Sequence, residues 1–158
     1  MSTLTTALLV RNEAAQDRYL HRVLTRCGEF SDHIVVLDDN STDDTPSVAR
    51  SLGANVYSRA DSSLYAWGNE ASARAELWNL GVKYCTGPND WLLICDADML
   101  LVGNPRELLQ SREVNSWAWI LYDLWDNEHT YRSDQYWVGH LVPRPWLVAP
   151  KRVPESWK

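Results

Sequence analysis

Phenylalanine is almost missing from this chain, with one Phe against nine Trp and seven Tyr in 158 residues. The rings that remain carry a polar edge beside a flat apolar face, which suits interfaces and the C–H faces of sugars, although most are expected in the core. Cysteine is scarce too. Cys27, Cys85 and Cys95 are odd in number and widely spaced, which argues against a disulfide framework or a zinc site and leaves reduced, buried filler. Basic charge is short: 15 Lys and Arg against 21 Asp and Glu give a net charge of -6. Without a Lys/Arg run to follow a phosphate backbone, nucleic acid is not an expected partner. Nowhere do about 18 apolar residues run together, as a membrane span needs. Met1 to Val10 lacks the basic start of a signal peptide, so the expectation is a cytoplasmic protein with no integral membrane segment. Internal repeats, low-complexity tracts and linkers are absent as well.

The length fits one domain and is short for an enzyme that holds two substrates. Thr5 to Val10 is an apolar, partly β-branched run that reads as a buried first strand, and Arg11-Asn12-Glu13 stops it. A helix follows, its apolar positions Ala15, Tyr19, Leu20, Val23, Leu24 and Cys27 recurring at three and four, with Gly28 as its C-cap. His33 to Leu37 is the second strand and runs into Asp38-Asp39-Asn40-Ser41-Thr42-Asp43-Asp44. Thr45 caps a short helix with Pro46 at its first position and Gly53 past its end, and Ala54 to Ser58 is a brief third strand. Asn69 to Tyr84 reads as the longest helix, with Ala71, Ala75, Trp78, Val82 and Cys85 on one face. Trp91 to Cys95 is the fourth strand, Asn104-Pro105 opens a short helix to about Gln110, and Trp117 to Asp123 is a further strand. Strands alternating with helices predict an α/β domain with a mainly parallel sheet, whose ligands sit beyond the carboxyl ends of the strands.

Those ends are where the polar residues gather. The most informative is Trp91-Leu92-Leu93-Ile94-Cys95-Asp96-Ala97-Asp98, an apolar strand ending in two carboxylates one residue apart. Such a pair holds hard oxygen ligands toward one cleft, as Mg²⁺ or Mn²⁺ against a phosphate requires. The plainer alternative is a pair that caps the next turn.

Three segments together make the chain resemble a family 2 glycosyltransferase of the GT-A, Rossmann-like fold: Leu8 to Glu13, Ile34 to Thr45, and Asp96-Ala97-Asp98. The resemblance covers about residues 4 to 110. It implies a nucleotide-sugar binding part over 1–110 and a short, Trp-rich, partial acceptor and catalytic part over 111–158, within a single domain. It also implies transfer of a sugar from a nucleoside-diphosphate sugar to a glycan, protein or small-molecule acceptor hydroxyl, with Mn²⁺ or Mg²⁺ and with inversion. By the same resemblance Asp39 receives the base edge, Asp38 supports the turn or the ribose, Arg11 and Glu13 lie by the nucleoside, and Arg74 aims at the donor. Asp98 then binds the metal, with Asp96 nearer the ribose or behind it. For Asp39 the competing reading is an Asp-rich turn; for Arg74 it is an exposed helix residue paired with Glu70.

Inverting transfer needs a base for the acceptor hydroxyl, implied here to be an Asp or Glu of the later half. Asp134, between Tyr131 and Trp137, is the first candidate and Asp126 the second, ahead of Asp123 and Glu128. His140 is the candidate third metal ligand, with His129 behind it. The Trp residues near the C-terminus leave room for a homo-oligomer. The rival from another class is a non-catalytic nucleotide-sugar binding module, or a partial enzyme that needs a partner or a further C-terminal segment. Three other readings fit less well. A haloacid dehalogenase-type phosphatase carries its nucleophile on the first strand, a receiver domain needs an Asp at the tip of strand three, and a nucleotidyltransferase needs a Gly-rich loop after strand one.

Overall fold

The computed structural model describes residues 2–15, 18–59, 70–110, 114–118 and 146–152. Among these described residues six strands form one sheet: β1 (Leu4–Val10), β2 (His33–Asp38), β3 (Asn55–Ser58), β4 (Trp91–Asp96), β5 (Ser116–Ala118) and β6 (Trp146–Val148), in the order β3-β2-β1-β4-β6-β5. The first four strands run parallel, and β6 and then β5 join antiparallel beyond β4. The helices described are α1 (Leu20–Gly28), α2 (Thr45–Ser51) and α3 (Glu70–Val82), followed by a 3₁₀ turn at Pro105–Leu108.

Buried strands alternate their side chains between two cores, as the period of two requires. Leu4, Leu8, Val10, Ile34, Val36, Trp91, Leu93 and Cys95 face the layer with α1, through Leu20, Val23, Leu24 and Cys27. Ala7, Val35, Leu37, Leu92 and Ile94 face α3, through Leu77, Trp78 and Leu80. Gly81 lets α3 approach closely, because a Cβ there would meet Leu92 Cδ1 at 2.6 Å. The cysteines are all buried and free of disulfides. Burial pushes the Cys85 thiol up to about 11, and a hydrogen bond to Cys27 with burial holds Cys95 well above the usual range.

Four helix details depart from the sequence expectation. α1 begins at Leu20, with Tyr19 as an exposed N-cap and Ala15 exposed in the preceding loop, where the N–H groups of Glu13 and Ala14 are held by Thr45, at the start of α2, and by Asp43. Gly28 is the last helical residue and Glu29 the C-cap, with ordinary right-handed backbone. Thr45 is the first residue of α2, behind the N-cap Asp44, and its hydroxyl serves the Glu13 loop. α3 buries Ala73, Leu77, Trp78, Leu80 and Gly81, while Ala71 and Ala75 are exposed. Gly53, with φ +84°, does end α2 as expected. No helix among the described residues is long and apolar enough to cross a membrane.

Candidate functional site

The loops after β1, β2 and β4 meet at the carboxyl edge of the parallel strands. The first two are laced together. Ser41 Oγ accepts from the Asn12 N–H (2.9 Å), Asn12 Oδ1 from the Thr42 N–H (2.8 Å) and Thr45 Oγ1 from the Glu13 N–H (2.7 Å). Asp43 accepts from the N–H groups of Ala14 (3.1 Å) and Thr45 (3.0 Å). Burial pulls the Asp43 carboxyl up, but a hydrogen bond from the Thr45 hydroxyl together with these N–H bonds outweighs it and leaves it below its ordinary value of 3.8. Asn12 and Asn40 stand at φ +51° and +57°, a left-handed conformation that Asn tolerates. Most of the Asp-rich segment therefore builds the loop itself.

Asp39 does something different. Its carboxylate is 1% exposed and lies between two guanidinium groups: Arg59 Nη1 donates to Oδ1 at 2.8 Å, and Arg11 Nη1 stands 3.6 Å from Oδ2. Arg11 also donates to the Asp39 carbonyl at 3.2 Å. Asp38, 4% exposed, accepts from the Ser41 N–H at 3.2 Å and so supports the turn; it does not line the cleft. On β4, Asp96 pairs with Arg74 Nη2 at 2.6 Å, and Arg74 Nε reaches Glu70 at 3.3 Å. Asp98 projects exposed past the buried Ala97.

A cleft of about 580 Å³ collects these groups, lined by Arg11, Glu13, Asp39, Arg74, Asp96 and Asp98 together with Arg18 and Glu70. Burial first, then the negative charges of Asp98 and Asp43, raise the Glu13 carboxyl against the lowering pull of Arg18. Glu13 and Asp98 thus share one electrostatic neighbourhood. Asp96 and Asp98 offer the hard oxygens that Mg²⁺ or Mn²⁺ accepts, a set that phosphate oxygens and water ordinarily complete. Among the described residues no group of three His, Cys, Asp or Glu stands ready to hold a metal. Asp134, Asp126 and His140, with Asp123, Glu128 and His129, lie outside the described residues. Arg59 escaped the sequence reading. Parallel pairing that sets Asp38 beside Ser58 brings residue 59 next to residue 39, a juxtaposition visible only once the β2–β3 register is known.

The description Glycosyl transferase family 2 fits residues 8–104, from β1 through the loop after β4. The chain belongs to this family. Among curated relatives, this family 2 chain is 29% identical over 98 residues to an uncharacterized glycosyltransferase of Rickettsia prowazekii, covering 62% of this chain and 28% of that protein. It is 32% identical over 102 residues to a TPR repeat-containing protein of Synechococcus elongatus, covering 65% and 22%. It therefore spans under a third of the length of these relatives. Among solved structures it is similar to a mannosyltransferase from Pyrobaculum calidifontis in complex with GDP-Man and Mn²⁺, with a TM-score of 0.53, 21% identity and coverage of 74% of this chain and 35% of that one. A glucosyl-3-phosphoglycerate synthase from Mycobacterium tuberculosis, in complex with Mn²⁺, UDP and glucosyl-3-phosphoglycerate, gives a TM-score of 0.50 at 23% identity, with coverage of 73% and 42%. The fold of the family 2 chain is that of these GT-A glycosyltransferases.

Proposed function

We propose that the chain is the donor-binding part of a metal-dependent glycosyltransferase that moves a sugar from a nucleoside-diphosphate sugar to an acceptor hydroxyl with inversion. The observation that carries this reading is the convergence of Arg11, Asp39, Asp96 and Asp98, from three separate loops, on one cleft. Asp39 receives the base edge and Arg11 packs on the nucleoside, its planar guanidinium suited to stacking. Asp96 lies toward the ribose, and Asp98 holds Mn²⁺ or Mg²⁺. When bound, the metal neutralises the charge that builds on the departing diphosphate. Arg74, held by Asp96 and Glu70, adds a cation on the same wall. The base for the acceptor hydroxyl is assigned to Asp134, then Asp126, with His140 as a further metal ligand, in a partial acceptor part over residues 111–158 that completes the donor part over 1–110. The complexes of similar fold that hold Mn²⁺ with UDP or GDP-Man support the donor class.

A second reading has its own observation. Because the chain spans 35% of the mannosyltransferase and 28% of the Rickettsia relative, a binding module or partial enzyme that takes the donor without transferring the sugar fits the same cleft.

A thermal-shift panel of UDP, GDP, CDP and dTDP sugars with Mn²⁺, with Mg²⁺ and with EDTA, on the wild type and on Asp98→Asn, tests the donor site. At 100 times its dissociation constant a donor adds about 2.7 kcal/mol of stability. The expected result is a shift for one base type that EDTA or Asp98→Asn removes; no shift with any donor overturns the reading. Release of nucleoside diphosphate from the bound donor then separates enzyme from module.

A further inference from the structure

The carboxylates of the cleft are matched against guanidinium groups almost one for one. Asp39 lies between Arg59 at 2.8 Å and Arg11 at 3.6 Å. Glu13 faces Arg18 at 4.0 Å. Arg74, on α3, stands 2.6 Å from Asp96 and 3.3 Å from Glu70. Among the described residues, Asp98 is the lining carboxylate with no arginine paired to it. Five lining carboxylates thus meet four guanidinium groups, three in the lining and Arg59 behind, and the walls carry close to a single net negative charge.

Such walls suit a bare dication poorly. Sites for divalent cations gain affinity with the number of carboxylate charges that converge on the ion. An arginine beside a carboxylate does not block its oxygens, which have lone pairs to spare; it cancels their charge and repels the ion. The effect matters most at Asp96, which shares the wall with Asp98 and pairs with Arg74 where both side chains are only 22–23% exposed and water screens little. A diphosphate reverses the balance. It supplies negative charge and oxygen ligands to the metal, and the same arginines that repel a bare ion favour the anion.

We propose that Arg74 makes the metal conditional on the nucleotide: by cancelling the charge of Asp96 it keeps the empty cleft from holding a divalent cation, which enters with a diphosphate. Arg74 is a positioning residue here, acting through Asp96, and the assignment rests on the donor reading given above. By linkage, the metal tightens the nucleotide by the same factor as the nucleotide tightens the metal.

Two titrations of the full chain at low ionic strength test it. Mn²⁺ alone is followed by the paramagnetic resonance signal of the free ion, and UDP, GDP, CDP and dTDP are titrated by calorimetry in EDTA and in Mn²⁺. In the wild type the diphosphate that binds is expected to do so at least about tenfold tighter with Mn²⁺ than with EDTA. In Arg74→Gln, Mn²⁺ alone is expected to bind about tenfold tighter than in the wild type, while the diphosphate in EDTA binds more weakly. Arg74→Lys keeps the charge and is expected to stay near the wild type in Mn²⁺ affinity. Arg50→Gln, which removes the same charge from an exposed position on α2 outside the cleft, is expected to change neither titration. A merely structural role for Arg74 would weaken both ligands together. Unchanged or weaker binding of Mn²⁺ alone in a folded Arg74→Gln, a gain in Arg74→Lys equal to that in Arg74→Gln, or a wild type that binds the diphosphate equally in EDTA and in Mn²⁺ overturns the inference and leaves the donor site standing. Failure of all four diphosphates to bind in Mn²⁺ overturns the donor reading and this inference with it. The wild-type comparison decides the matter even where Arg74→Gln does not fold.

Discussion

Thr45 is fully buried, and its oxygen is the acceptor for the Glu13 N–H at 2.7 Å, so one hydroxyl ties the start of α2 to the loop that follows β1. Replacing it by the similarly shaped Val leaves that N–H without this acceptor. Thr45→Val is expected to cost about 1–3 kcal/mol in urea unfolding, and to weaken nucleotide binding as well, since Glu13 lines the cleft. A serine at the same position keeps the oxygen and is expected to recover most of the binding. Ser41 and Asp43 likewise accept from N–H groups of the β1 loop, and Thr42 donates its own N–H to Asn12 Oδ1. The sequence reading sets base recognition by Asp39 beside an Asp-rich turn, and the structure holds both: Asp39 lines the cleft, and its neighbours hold two loops together. The local pattern alone separates the two roles weakly, because both use short polar side chains. What separates Asp39 is its pair of arginines, one of them 20 residues away.

At the scale of elements the first four strands were legible and the helix faces less so. A parallel strand buried on both sides is a short apolar run, and β1, β2 and β4 fall within one residue of where their runs begin and end. α3 misleads because small residues occupy both of its sides: Ala71 and Ala75 are exposed, while Ala73 and Gly81 pack inward with Leu77. Periodicity counts apolar residues, and alanine is nearly neutral in that count. At Gly81 an added Cβ would press on the Leu92 methyls and touch Ala7. Gly81→Val places a branched side chain against Leu92 and is expected to destabilise the fold by about 1–3 kcal/mol, measured by denaturant unfolding. Gly28→Ala, where nothing lies within 4 Å of an added Cβ, is the control and is expected to be neutral or stabilising. The start of α1 was not legible in the local pattern, which does not show that residues 30 or so positions away hold N–H groups of the preceding loop.

The whole molecule has two differently built edges. Chemistry gathers at the carboxyl ends of the strands, and at the opposite edge aspartates staple β1 in place: Asp32 accepts from the Leu4 N–H at 2.8 Å and Asp90 from the Thr3 N–H at 2.9 Å. Asp32 also pairs with Arg106 at 2.7 Å. Burial pulls the Asp32 carboxyl up, but the Leu4 bond and Arg106 outweigh it and hold it below its ordinary value of 3.8. A carboxyl lowered in the folded state stabilises fully above its unfolded value and loses that contribution as pH falls through the folded one. Asp32→Asn is therefore expected to be less stable than the wild type at pH 7, with the gap closing below about pH 4. Denaturant unfolding across pH 2.5–7 measures it, and a gap independent of pH would exclude this role for Asp32.

Those two staples also set an order in time. Asp32 lies 28 residues from its partner on β1, and Asp90 lies 87 residues from its own. The nearer closure carries the smaller entropic barrier, so β1, β2 and β3 are expected to associate before β4 arrives on the other side of β1. Asp39 and its arginines are then assembled early, and the Asp96–Asp98 wall is added last. In a refolding experiment, nucleotide-binding capacity should return with the slowest phase rather than with the first formation of the sheet.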